Sequence, residues 1–207
     1  MKIQHLVILL VLLGACDNVK NNHRLPYFGQ HQYLLNDTIF YTVGGFNLVN
    51  QDSMEVTRES YQNKITIADF FFTSCPTICP VMKTQMLRIY ETIEDDDDVL
   101  LLSHTIDPAH DTVALLHQYA KNLGVNSSHW QFLTGNKDSI YALAETYMVI
   151  ADEEPDAPGG FVHSGAFLLI DKEQRIRGVY DGTEPDQVDI LINDIDLLRK
   201  EYLPDQL

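Results

Sequence analysis

Between Ile65 and Ile93 a compact apolar strand runs straight into an amphipathic helix, with Cys75 and Cys79 at the join. Ile65–Phe72 reads as the strand, and Val81–Ile93 carries Met82, Met86, Ile89 and Ile93 at near-helical spacing. The same alternation continues downstream. Val99–Ile106 is a buried strand ended by Asp107-Pro108, and Asp111 is placed to cap a helix reaching Leu123. Trp130–Leu133 is a short strand and Lys137–Tyr147 a helix. Ser164–Ile170 and Arg175–Tyr180 pair as a hairpin across Asp171–Gln174, and Pro185–Tyr202 closes the chain as a helix.

Strands alternating with helices of this length build a largely parallel sheet covered on both faces. A β-α-β first half followed by a β-β-α second half is the thioredoxin order, here with an extra strand and helix between the halves. Gln32–Thr42 and Phe46–Val56 add short strands in front. The expected fold is therefore α/β: a thioredoxin-like three-layer sandwich, with a central mixed sheet, helices on both faces and an N-terminal β-extension. The acidic run Glu94–Asp98 would oppose the macrodipole at a helix end, so it belongs in a solvated loop beyond the helix.

The first residues read as an export signal. Lys2 supplies a positive start, Leu6–Leu13 is an unbroken apolar run, and Leu13-Gly14-Ala15-Cys16 follows. The run is too short to span a membrane, which takes about 20 residues. Leu-small-small-Cys resembles a bacterial lipobox, whose cleavage leaves a lipidated cysteine at the N-terminus. The expectation is a signal over residues 1–16 with lipidation at Cys16, a polar tether over 17–32, and one domain over 33–207. That places the protein on the extracytoplasmic, periplasmic face of a bacterial membrane. The net charge of −16 repels phosphate backbones, and no basic stripe offsets it, so nucleic acid is excluded as a partner.

Setting Cys16 aside leaves Cys75 and Cys79. A staple closing so few residues constrains little of the unfolded chain, so this pair is chemical rather than structural. At a strand-to-helix junction, free N–H groups and the helix dipole favour thiolate. Either Pro76 or Pro80 suits the first helical position. A four-residue offset puts both sulfurs on one helical face, about 6 Å apart at Cβ. Two thiolates favour a soft ion, Cu(I) above all, whereas Zn(II) usually takes four ligands. His163, after Gly159-Gly160 and just before the strand Ser164–Ile170, stands where a thioredoxin carries its cis-proline facing the cysteines. A neutral imidazole there completes a trigonal site of two sulfurs and one nitrogen. His104 reads as a packed core histidine, and His110, His117 and His129 as surface. His23 and His31 lie in or near the tether.

The residues Thr73-Ser74-Cys75-Pro76-Thr77-Ile78-Cys79-Pro80 resemble the Sco (SenC) family of copper proteins, which assist assembly of the binuclear copper site in terminal oxidases. Thr105-Ile106-Asp107-Pro108 with Asp111-Thr112, Trp130–Gly135, His163-Ser164 and Asp181-Gly182-Thr183 extend the likeness in order over about residues 40–205. The resemblance implies copper, as Cu(I) and also Cu(II), held by Cys75, Cys79 and His163. It implies as partners the copper-site subunit of an oxidase, and other copper chaperones or thiol reductases. Many members carry Asp directly before the ligand histidine, where this chain has Val162. A competing reading makes Cys75 and Cys79 the redox pair of a thiol-disulfide oxidoreductase or a redox sensor. Peroxidase chemistry fits poorly. Peroxiredoxins place Pro seven residues and Thr or Ser three residues before the reactive cysteine, and neither cysteine here has either.

Overall fold

The computed structural model describes residues 24–203. The expected signal, Cys16, His23 and the first part of the tether lie outside the described residues. The elements run β1 (Gln32–Tyr33), β2 (Thr38–Ile39), β3 (Asn47–Asn50), β4 (Glu55–Thr57), α1 (Arg58–Tyr61), β5 (Ile65–Phe71) and α2 (Cys79–Ile93). There follow β6 (Val99–Thr105), α3 (Val113–Leu123), β7 (Trp130–Thr134), α4 (Lys137–Thr146), β8 (Ala151–Glu153), β9 (Phe161–His163), β10 (Ala166–Ile170), β11 (Ile176–Asp181) and α5 (Pro185–Glu201).

Seven strands form one mixed sheet in the order β11-β10-β5-β6-β7-β3-β4. β5, β6 and β7 run parallel, and the remaining pairs are antiparallel. Every residue of β5 and β6 is buried, as a central strand with helices on both faces requires. Alternation along β5 divides its side chains. Phe71 packs on Tyr119 of α3 and Phe132 of β7, on the face that also meets α2. Phe70 stacks on His104 and meets Tyr147 beyond α4, on the other face. α5 joins α2 on the first face, where Arg88 pairs with Asp189.

The N-terminal β-extension is real but more broken than expected. β3 and β4 add to the far edge of the main sheet beyond β7, while β1 and β2 form a separate hairpin. The small hairpin of β8 and β9 was not legible in the sequence. Two local expectations change. The cap of α3 is Thr112, whose hydroxyl accepts from the Leu115 amide, because Asp111 is buried and engaged elsewhere. His129 is buried rather than on the surface, and its Nδ1 lies 2.8 Å from the Ser128 hydroxyl. The acidic run does follow α2, and Asp96 and Asp98 form ion pairs with Arg199 and Lys172.

The end of the expected tether is also part of the domain. Leu25 is buried and its amide donates to Glu201 at 2.7 Å. The reason is Arg177, a buried guanidinium on β11. It donates to the carbonyls of Leu25 and Pro26 and pairs with Asp171 and Glu201. The Tyr27 ring lies 4.1 Å from its centre. A buried cation with several donors must have them filled, and the arm fills two. A chain beginning at Tyr33 is therefore expected to be less stable than one beginning at Arg24 by about 2 kcal/mol. Urea unfolding of the two checks this, and coincident midpoints would make the arm a passive tether.

Candidate metal centre

The site is assembled from two directions. The cysteine loop leaves β5 at Thr73, whose amide donates to the Asp111 carboxylate at 3.0 Å. The Thr73 hydroxyl donates to the same carboxylate, as does the Thr105 hydroxyl at 2.5 Å. Asp111 thus ties the exit of β5 to the end of β6. The Cys75 amide then donates to the Phe72 carbonyl at 3.2 Å, turning the chain, and α2 begins at Cys79. Pro80 occupies the second helical position. Its missing N–H falls among the first-turn donors that have no helical acceptor, so no hydrogen bond is lost.

His163 arrives from the β8–β9 hairpin on the other side. Gly159 and Gly160 both have left-handed backbone, with φ of 86° and 82°. A side chain on Gly159 would meet the Phe72 ring at 2.8 Å and Pro76 at 3.2 Å. Glycine there lets the His163 loop lie directly against the cysteine loop. Phe72 also packs on Phe161, and its ring centroid lies 5.8 Å from that of His163.

Cys75, Cys79 and His163 each bring one ligand atom, and all three atoms lie within 4.8 Å of one another. His163 Nδ1 lies 3.1 Å from the Ser164 carbonyl, so that nitrogen carries the proton and donates. Nε2, 3.3 Å from Cys79 Sγ, is left as the free lone pair facing the sulfurs. Burial lowers the His163 pKa against that backbone contact, which keeps the ring neutral. Val162 is exposed, and the Ser164 carbonyl does the orienting that an acid at its position would do.

The two thiols are free and unequal. At Cys75, burial pushes the pKa up. Hydrogen bonds from the Cys79 thiol, the Cys79 and Thr77 amides and the Thr77 hydroxyl outweigh it, and the net shift is downward. At Cys79, burial dominates, and the negative charges of Cys75 and Asp69 push the thiol up further. The helix-start argument therefore holds for Cys75 and fails for Cys79, because α2 turns Cys79 inward. A soft cation bound between them supplies the charge that makes both thiolates favourable. Two sulfurs and one neutral imidazole are the donor set Cu(I) takes.

The other histidines do not join them. His104 is fully buried, stacked on Phe70, and held neutral by burial that lowers its pKa to about 4. His110 and His117 are exposed, each beside an aspartate. Both nitrogens of His31 are engaged, with Tyr41 and Tyr27. His163 is the only histidine near the thiols among the described residues.

Known proteins resemble this chain over most of its length. The family model described as SCO1/SenC matches residues 38–198. The SCO1 protein homolog of Bacillus subtilis is 30% identical over 165 residues, covering 78% of this chain and 84% of its own. The copper-bound crystal structure of Arabidopsis thaliana ScoI superposes with a TM-score of 0.65 at 28% identity, over 78% of this chain and 99% of that one. BsSco, described as having a disulfide switch and as a member of the Sco family of cytochrome c oxidase assembly proteins, gives a TM-score of 0.68 at 30% identity, over 77% and 94%.

One residue at the site escaped the sequence reading. Asp69 is a lone acid in an otherwise apolar strand, which was its signal. Its side chain is buried, accepts from the Ser103 hydroxyl at 2.5 Å, and lines the same small cavity as Cys79. Burial raises its pKa to about 7 against the Ser103 hydrogen bond, so it is largely protonated below neutrality. The folded chain then holds a proton that the unfolded chain has released. Stability falls as pH rises from about 4 to about 7 and flattens above. Asp69→Asn removes that slope. Relative to the parent, the variant should gain up to about 4 kcal/mol between pH 4 and pH 8. Denaturant titrations at the two pH values test this, and a pH-independent difference would contradict it.

Proposed function

Because the chain belongs to the SCO1/SenC family, we propose that it carries Cu(I) on Cys75, Cys79 and His163 and delivers it to the copper-site subunit of a terminal oxidase. The observation that carries the reading is the free Nε2 of His163, 3.3 Å from Cys79 Sγ, its tautomer set by Ser164. Copper binding and cytochrome c oxidase assembly are what the family's structures describe. A shallow pocket of about 170 Å³, lined by Phe72, Cys75, Ile78, Phe161 and His163, gives Cys75 and His163 an opening to the surface. A partner's sulfur or nitrogen approaching there takes copper by ligand exchange.

Delivery of this kind happens at a membrane surface. The lipobox-like Leu13–Cys16 supports an acylated Cys16 as the anchor on the extracytoplasmic face. Among the described residues no helix is long and apolar enough to cross a membrane.

Thiol-disulfide exchange with the oxidase cysteines is the second reading. The unequal thiols favour it, since Cys75 is the better thiolate and Cys79 the better reserve. Closing the Cys75–Cys79 disulfide removes two electrons and two protons, passed to the partner's disulfide, and removes both soft ligands.

The two readings part at His163. Cys75→Ser and Cys79→Ser are expected to abolish tight Cu(I) binding in a competition titration. His163→Ala should weaken it by at least about tenfold while leaving a two-sulfur site. In cells lacking the gene, all three variants should fail to restore oxidase assembly, and added copper should restore it in part. If His163→Ala supports full assembly while both cysteine variants fail, thiol reduction is the function.

A further inference from the structure

The longest run of exposed apolar side chains in the described residues lies on the N-terminal arm. Leu34 is 55% exposed, Leu35 fully exposed, Tyr33 79% and Ile39 51%. All four belong to the β1–β2 hairpin and its turn, where the Leu34 amide donates to the Asp37 carbonyl at 2.8 Å. Two adjacent leucines at a hairpin tip make a contiguous apolar patch, which water does not favour and which marks an interaction surface.

The hairpin is built onto the domain. The Phe40 ring packs tilted against that of Tyr27, centroids 4.2 Å apart, and meets the His31 ring at 5.2 Å. The Tyr41 amide donates to His31, and the Phe28 amide donates to the Ile176 carbonyl of β11. The patch therefore has a fixed direction relative to the sheet.

Two observations name what covers it. The first is charge. Residues 24–41 carry one cation, Arg24, and one anion, Asp37, in a chain whose net charge is −16. An anionic lipid surface repels most of this protein and does not repel this segment. The second is reach. Cys16 precedes Arg24 by eight residues, at most about 29 Å of extended chain. An anchor at Cys16 holds the arm within that distance of the bilayer.

We propose that the β1–β2 hairpin is a second membrane contact, with Leu34 and Leu35 entering the lipid interface and Tyr33 lying at headgroup level. This rests on the anchor proposed above. The aromatic hydroxyl and the two leucines match the polarity gradient of an interface. An acyl anchor alone leaves a domain free to tumble. A second contact fixes its orientation and with it the direction in which the copper site faces.

The test uses the full lipidated chain in vesicles of phosphatidylethanolamine and phosphatidylglycerol with brominated acyl chains. Trp130 is 2% exposed in the core and gives a constant background. Leu35→Trp should show blue-shifted emission that the bromines quench strongly. Met54→Trp, exposed between β3 and β4 at the far edge of the sheet, should stay unquenched. Protein that stays on vesicles through an alkaline wash but leaves Leu35→Trp unquenched overturns the hairpin and spares the anchor. Protein that washes off overturns the anchor, and the hairpin with it. A blue shift without quenching means that protein covers the patch, from a second copy or a partner, and overturns the lipid contact. Equal quenching at position 54 overturns it as well.

Discussion

The Asp111 carboxylate is buried and accepts hydrogen bonds from the Thr73 amide, the Thr73 hydroxyl and the Thr105 hydroxyl, with the His110 ring beside it. A buried carboxylate is costly unless its lone pairs are filled, and here both oxygens are. Those bonds fix where the chain leaves β5, and the irregular stretch to Cys79 hangs from that point. Gly159 sets the opposite side, since a side chain there would push the His163 loop off Phe72 and Pro76. Three ligand atoms stay within 4.8 Å of one another because both loops are held from behind.

That arrangement explains why a soft cation suits the site better than protons do. Burial makes a lone thiolate at Cys79 unfavourable, and the neighbouring Cys75 and Asp69 charges make it worse. A monovalent cation between the sulfurs reverses the sign of that interaction. The imidazole is neutral and faces the same point, so it adds a ligand without adding charge. The same unequal thiols also suit disulfide exchange, which is why His163 is the residue that divides the two proposed readings.

Much of this was legible in the sequence because strong local patterns agreed with tertiary demand. The apolar strand, the helix spacing of Met82, Met86, Ile89 and Ile93, and the cysteine pair at their join all lie where periodicity put them. His163 was found through element order, since its place before β10 faces the start of α2 in any chain of this topology. What was missed depends on contacts distant in sequence. Leu25 and Pro26 look like tether until Arg177, some 150 residues later, needs their carbonyls. Asp111 looks like a helix cap until Thr73 and Thr105 claim it, and His129 looks polar and exposed until burial shows otherwise. The β8–β9 hairpin is three residues a strand, too short for alternation to register.

X-ray absorption at the copper edge of the Cu(I)-loaded protein tests the central claim most directly. Two sulfur scatterers and one imidazole nitrogen per copper are expected, and His163→Ala should lose the nitrogen and keep both sulfurs. A wild-type spectrum of sulfur alone, or an imidazole signal that survives His163→Ala unchanged, would contradict it.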